Sequence, residues 1–469
     1  MKIFVAQILF AAALLVGHLA YAQKNANGVR SGITWFDQQG NEVSAHGGGI
    51  IRDKDIFYLF GEKHSDTSNA FAGFNCYSSK DLYNWKFESL ALAVQDTGKL
   101  GPKRIGERVK VMKCPKTNEY VMFMHTDDLG YKDQCVGYAT SKNVTGPYTF
   151  KGALLLNGKP IRKWDMGTFQ DTDGKGYVLI HGGDIYQLDD HYTQITKQVA
   201  KEIAVGCESP AVFKKDGIYF WLGSHRTSWE RNDNFYFTAG SLSGPWVNRG
   251  LFAPEGSLTW NSQTTFVLPV KGNKETSYIF MGDRWSYPKQ NSAATYVWQP
   301  LTIKDSILSI PKFLENWQID LPGGKVSSSA IPYAKKISST DHKQIVCTGQ
   351  WTEVTFENRK FSFAAQTSAT CSLKFYGTQV GFHGYTSPNG GYAEVKIENA
   401  AGKVISTTLV DMYSLKPDAS LRFMSKILTK GNYKLTVSVT GERSKWADKR
   451  RTDYGSKGNT VSLGDIIVN

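Results

Sequence analysis

One strand–turn–strand phrase recurs five times along the first part of the chain, and it constrains the fold more than any other feature. The copies run Gly49–Phe60, Val109–Met124, Thr168–Ile180, Ala211–Leu222 and Thr265–Met281. Each pairs a short apolar strand with an aromatic-rich one across a polar turn, as at Asp173-Gly174 and Asp216-Gly217, which is the chemistry of a β-hairpin. Three copies are followed by a further shared phrase, at Ser79–Trp85, Ser141–Tyr148 and Ser241–Trp246. Repeats about 40 to 60 residues apart built this way describe propeller blades, and five copies predict five blades. Helical periodicity is scarce, which excludes doubly wound and barrel folds that alternate strand with helix.

The expected fold is therefore all-β: a five-bladed β-propeller over 23–322, then a β-sandwich of jelly-roll type over 341–469. Turn and small polar residues at 323–340 read as a linker between them. Within the second unit the strand candidates are 351–356, 360–365, 369–375, 379–385, 393–398, 403–410 and 433–440. Many short strands in so short a stretch indicate a sandwich.

Composition narrows the partners. Of 469 residues 41% are hydrophobic and 13% aromatic, too apolar for a disordered chain. The formal charge of +13 is spread along the sequence, and its densest stretch, Arg443–Arg451, is broken by Trp446, Ala447 and Asp448. No basic stripe marks a nucleic-acid face, so no nucleic acid is expected; a general surface charge or attraction to an acidic glycan accounts better for the excess. Met1-Lys2, an apolar run from Ile3 to Gly17 and the small-x-small site Ala20-Tyr21-Ala22 read as a signal peptide over 1–22, removed after Ala22. The mature protein is expected to be exported, to the periplasm or outside. No later segment reaches the roughly 18 apolar residues of a membrane span, so no membrane insertion is expected. Six cysteines are too few for a disulfide framework; Cys347–Cys371 is the bridge candidate and the others read as buried thiols. No Cys/His spacing suggests zinc, so no cofactor is expected, with a structural calcium left open. Nothing implies an oligomer.

The residues before each first strand carry the chemistry. They are His46, Glu107, Asp165, Glu208 and Gln263, at equivalent places of the five repeats. In a propeller the first strands line the axis, so these five converge on one mouth. A second ring follows the second strands: Glu62, His125, His181, His225 and Asp283-Arg284. Trp164, Trp229 and Trp285 lie nearby and suit a sugar face. Carboxylates clustered in an aromatic funnel suit acetal hydrolysis, in which one acid protonates the leaving oxygen and an opposed group activates water. A further carboxylate raises the acid's pKa by like-charge repulsion.

Ordered phrases across residues 30 to 320 carry a family resemblance: Ala45–Gly49, Tyr58–Glu62, Gly106–Lys110, Asp165-Met166, Glu208–Ala211, Gly223–Thr227, Asn261–Pro269, Gly282–Trp285 and Tyr296–Trp298. Together they resemble glycoside hydrolase family 43, and most of all its exo-β-1,3-galactanases, which release galactose from the arabinogalactan backbone of plant-type polysaccharides. The resemblance implies Glu208 as general acid and Asp165 as the residue that orients it and raises its pKa. The usual Asp base is replaced by Ala45-His46-Gly47 here, and the subfamily shares that absence; Gln263 then takes the water. A neutral amide is a poor base, so Gln263 would position water, and Glu107 is the alternative read from the residues alone. Glu107 and Glu62 would contact hydroxyls of the terminal sugar, with His46, His125, His225, Thr227, Trp229 and Arg284 as further substrate contacts. Two departures flank the site: Val109 where the subfamily has Pro, and the Trp164–Thr168 run. The C-terminal stretch is similar to jelly-roll carbohydrate-binding modules at Gly390–Lys396 and Val410–Ser414. The expected activity is inverting release of terminal galactose; an α-L-arabinofuranosidase or a non-catalytic glycan-binding propeller are the alternatives.

Overall fold

The computed structural model describes residues 27–448 and 450–469, so the expected signal peptide lies outside the described residues. Five sheets, each antiparallel through its four main strands, follow one another along the chain. Their first strands are His46–Asp53, Arg104–Lys113, Met166–Gln170, Cys207–Lys215 and Gln263–Lys271. Each is the edge of a sheet ordered 1-2-3-4 in sequence, and the third sheet gains two short outer strands, Leu155–Leu156 and Lys159–Pro160. Every first strand lies against the next sheet's first strand, and the fifth returns against the first. The shared phrases fall where expected, between the third and fourth strands of the first, second and fourth sheets.

Alternation along the strands explains the closure. Side chains of a strand point to opposite faces in turn. In Ile56–Glu62, Phe57 and Leu59 join a cluster with Val270, Ile279 and Trp298 of the fifth sheet. Phe60 of the same strand joins Met122 and Met124 of the second sheet instead. The remaining junctions repeat the arrangement, with Phe123 and Val178, Leu179 and Trp221, and Phe220 and Phe280 as the facing pairs. A sheet covered on both faces needs apolar residues at successive positions, which is why the second strands are aromatic throughout.

The ring is sealed by chain ends far apart in sequence. Val29–Arg30 pairs antiparallel with Asn316–Asp320, which in turn pairs with Lys325–Ser328. Trp317 is fully buried there and its indole N–H donates to the Trp298 carbonyl at 2.8 Å. The stretch 323–340 is thus not a plain linker: it carries Lys325–Ser328, and its Lys335–Ile337 pairs with Ile466–Val468. Gly323 and Gly324 turn a hairpin rather than a tether, and the paired strands are too short and polar to show a sequence period.

The remainder of the chain is also all β. A five-stranded sheet contains Ile345–Thr348, Thr370–Gly377, Gly431–Val439, Tyr392–Asn399 and Val404–Asp411. A four-stranded sheet of Lys335–Ile337, Ile466–Val468, Val380–Thr386 and Asp418–Met424 shares one core with it, through Val395, Leu435 and Val437 on one side and Phe382 and Phe423 on the other. Cys347 and Cys371 form a disulfide between paired strands, and the other four cysteines are buried thiols.

Truncating a fully buried Trp typically costs about 3–5 kcal/mol. Trp317→Ala should therefore lower the unfolding free energy by about that much, read by denaturant titration. A loss no larger than an exposed substitution gives would show that the ring does not depend on this seal.

Candidate active site

The expected ring forms at the start of the first strands, and a common backbone device builds it. Register shifts follow His46, Glu107 and Glu208 directly, and in the fifth sheet follow Thr264, one residue after Gln263. A β-bulge re-aims the side chains around it. Gly47, Arg108, Asp165 and Ser209 all have positive φ (61°, 60°, 30° and 58°). At Gly47 only glycine fits, because a Cβ would lie 1.8 Å from Glu62 Oε1. The second ring faces the first across the hairpins, with His46 opposite Glu62, Glu107 opposite His125, and Gln263 opposite Asp283.

Arg108 joins the sheets together. Its Nε donates to Asp165 Oδ1 at 2.9 Å, and one terminal nitrogen donates to Gln263 Oε1 at 2.7 Å. Its main-chain N–H donates to Glu62 Oε1 at 2.8 Å, and the guanidinium lies 5.4 Å over the Trp285 ring. Asp165 also accepts from the Ser209 N–H (2.9 Å) and Oγ (3.0 Å). Burial pushes the Asp165 carboxyl up, but Arg108, His125 and Ser209 outweigh it and hold the group below its ordinary value.

Glu208 is treated in the opposite way. It is half-buried at the pocket, and desolvation followed by the nearby Asp165 charge pushes its pKa up to about 8. Its Oε1 accepts from Gln263 Nε2 at 2.8 Å. The same nitrogen donates to Ser224 Oγ (3.1 Å), while Gln263 Oε1 also accepts from the Trp285 indole N–H (2.8 Å). All four hydrogen-bonding positions of the amide are filled. Its orientation is decided by its neighbours, since a flipped amide would set N–H groups against two donors.

Glu107 borders the pocket, accepting from Tyr131 OH at 2.8 Å and lying 3.2 Å from His125 Nδ1. Asp127 holds the other ring nitrogen at 3.2 Å. Burial disfavours the imidazolium, but Asp127 and then Glu107 raise His125 to about 9, so it is charged at neutral pH. His46 lies 3.3 Å from Asp283 and stacks on Tyr296, with centroids 4.2 Å apart. Trp164 stacks on His181 at 3.6 Å, and Trp229 meets Trp285 edge to face at 5.3 Å. Among the described residues no group of three or more His, Cys, Asp or Glu is disposed to hold a metal ion.

Three expected contacts do not join these bonds. Arg284 points away from the mouth, its guanidinium directed at the main-chain carbonyls of Gly32, Trp260 and Asn261. Strand alternation accounts for this, because Asp283 takes the axial face and its neighbour must take the other. Thr227 Oγ1 is engaged within its own loop by Glu230 and Asn232, and His225 is exposed beside Phe235.

A family model, glycosyl hydrolases family 43, matches residues 44–251. The exo-beta-1,3-galactanase from Phanerochaete chrysosporium, solved with galactose, is 27% identical with a TM-score of 0.70, over 94% of this chain and 100% of that one. A variant of that enzyme solved with beta-1,3-galactotriose matches at the same identity and TM-score over 95% and 100%. A proposed exo-beta-1,3-galactanase from Bifidobacterium bifidum is 38% identical with a TM-score of 0.57, over 60% of this chain and 95% of that chain. A search of curated proteins finds no match. The chain belongs to glycosyl hydrolase family 43. It is a glycoside hydrolase, and the Phanerochaete chrysosporium structures it resembles are of an exo-beta-1,3-galactanase.

Sequence reasoning about this family 43 enzyme missed its central cation. Arg108 lies within the Gly106–Lys110 phrase, and asking what balances three converging acids would have singled it out. Lys110 was missed with it: its buried Nζ donates to the Gly47 carbonyl at 2.7 Å, and desolvation lowers its pKa to about 7. Ser209, Ser224 and His64 carry no sequence signal, because each acts through a neighbour that only folding supplies.

The Glu208 carboxyl should titrate near 8 by carbon-detected NMR, its resonance identified by loss in Glu208→Gln. Asp165→Asn removes one of the two raising causes, so the titration should move to lower pH. An unmoved titration would remove Asp165 as a cause.

Proposed function

We propose that this enzyme is an exported, inverting exo-β-1,3-galactanase that releases terminal galactose from the arabinogalactan backbone. In this reading the five-sheet ring, 23–322, is a five-bladed propeller carrying the reaction, and 341–469 is a jelly-roll module. The observation that supports it most is the paired treatment of two carboxylates: Asp165 held ionised, Glu208 held protonated with a pKa of about 8. The similarity to galactose- and galactotriose-bound galactanases supports the choice of sugar.

Glu208 donates its proton to the glycosidic oxygen as the bond to the anomeric carbon breaks. Asp165, through its charge, keeps that proton in place until then. Glu107, Glu62 and His125 bind hydroxyl groups of the terminal galactose, and Trp164 and Trp229 border its ring. Acid and water-activating group stand roughly 6.5–9.5 Å apart in an inverting site. Glu208 and Gln263 are in direct contact at 2.8 Å, so the entering sugar must separate them. Separation frees an amide position of Gln263 to hold water on the ring face opposite Glu208. The water oxygen bonds to the anomeric carbon as the leaving group departs, and the water's spare proton passes to solvent, since the neutral amide does not keep it. Catalytic hydrogen bonds commonly reach their working arrangement only with substrate bound.

Anomeric NMR during hydrolysis of de-branched β-1,3-galactan tests the reading: galactose should appear first as the α-anomer. Arabinose release with no galactose would overturn it. Glu208→Gln should slow galactan turnover by about 10²–10⁴, a general acid's contribution. An aryl galactoside whose phenol leaves without protonation should lose far less. Equal losses on both would sink the acid role. Azide should restore Gln263→Ala and yield α-galactosyl azide, whereas restoration of Glu107→Gln instead would transfer the water-activating role to Glu107.

A further inference from the structure

The Trp285 indole hydrogen-bonds the Gln263 amide, and its position is held from outside the five-sheet ring. The indole N–H donates to Gln263 Oε1, while the ring lies among Arg108, His46, His64 and Trp229. On the backbone side, the Trp285 carbonyl accepts from Arg231 at 2.9 Å. The next residue reaches into the C-terminal unit: Ser286 Oγ donates to Asp411 Oδ2 at 2.8 Å and lies 3.2 Å from Tyr392 OH. Tyr392 OH in turn donates to the Ser286 carbonyl at 3.3 Å. Asp411 and Tyr392 are register partners on adjacent strands, so one edge of the C-terminal sheet grips a single residue.

A second set of bonds reinforces the grip. Asp411 Oδ2 lies 3.7 Å from Arg231, whose guanidinium sits 4.7 Å over the Tyr413 ring. Tyr413 OH donates to Glu230 Oε2 at 2.6 Å, beside Trp229. Asp411 is 6% exposed and Ser286 1%, so these groups exchange no water for their partners. A buried polar network of this kind fixes geometry more than it adds stability.

We infer that Asp411 and Tyr392 of the C-terminal unit are positioning residues for the reaction, holding Ser286 and thereby the Trp285 indole that orients the Gln263 amide. The C-terminal unit is then part of the active site's construction and not an appended binding module. The inference rests on the reading of Gln263 given above, so its test carries a readout that does not depend on turnover.

In the full-length protein, the Trp285 indole N–H resonance is identified by its loss in Trp285→Phe. Tyr392→Phe and Ser286→Ala, each a small deletion, should both shift that resonance while leaving the fold cooperative. On galactotriose both should lower kcat by about tenfold, the scale expected of a slight misplacement, with KM changed by less than about twofold. Combining the two should cost little more than either alone, since they break one chain of contacts. Tyr376→Ala, on the exposed outer face of the same unit, should change neither signal nor rate. An indole resonance unmoved in both variants overturns the inference whatever the activity. Shifted resonances with kcat unchanged overturn the catalytic consequence. Variants that shift as expected, in an enzyme whose wild type hydrolyses no galactan, sink the galactanase reading and leave the positioning intact.

Discussion

The Arg108 guanidinium is the interaction on which the rest of the site depends. Several carboxylates converge where the first strands begin, and without a buried cation they could not remain ionised so close together. Arg108 meets Asp165 and Gln263 through its side chain and Glu62 through its backbone N–H, so one residue links four sheets. A lysine could not do the same, since a point charge lacks the planar fork that reaches two partners at fixed angles. The φ of 60° at Arg108 is the local strain this requires, and the bulge that follows Glu107 supplies it.

That bulge recurs, and its recurrence explains why a repeat fold makes a pocket. An undistorted edge strand would alternate its side chains between the two neighbouring cores, leaving none for the axis. The register shifts at the start of four first strands break the alternation at equivalent places. In the third sheet the device differs: Asp165 precedes its strand and takes a φ of 30°, with its carboxylate tied to Ser209 of the next sheet. The apolar cores between sheets hold the scaffold, and the bulges direct what is left over toward the substrate.

The same logic separates what the sequence reveals from what it hides. The five hairpins were legible because both faces of each second strand are buried, giving apolar runs such as Phe57–Phe60 and Phe220–Leu222 that no solvent-facing strand would carry. The ring of His46, Glu107, Asp165, Glu208 and Gln263 was legible because it repeats in register. Arg284 was misread because one residue's shift along a strand reverses its face, and nothing local distinguishes it from Asp283. Strands such as Lys335–Ile337 and Ile466–Val468 escaped notice because three residues are too few to show a period. The grip on Ser286 was invisible for a different reason: its partners lie more than a hundred residues away, and a serine beside a tryptophan carries no signal of its own.

Two carboxyl groups near one cation end in opposite protonation states, and the difference lies in donors. Asp165 accepts from Arg108 Nε, from the Ser209 N–H and from Ser209 Oγ, and each bond favours the anion. Glu208 accepts from one neutral amide, at Gln263, and has Asp165 as a negative neighbour. Desolvation acts on both, but only Glu208 lacks the donors to resist it. The neutral character of Gln263 matters to this balance. A carboxylate in its place would stand within hydrogen-bond distance of Glu208, and the pair would have to share a proton or divide Arg108 between them. An amide instead supplies a donor to Glu208 and an acceptor to Arg108 at once, without adding charge. Glu208 stays protonated through burial and the Asp165 charge, and the amide beside it tempers that rise without competing for the proton.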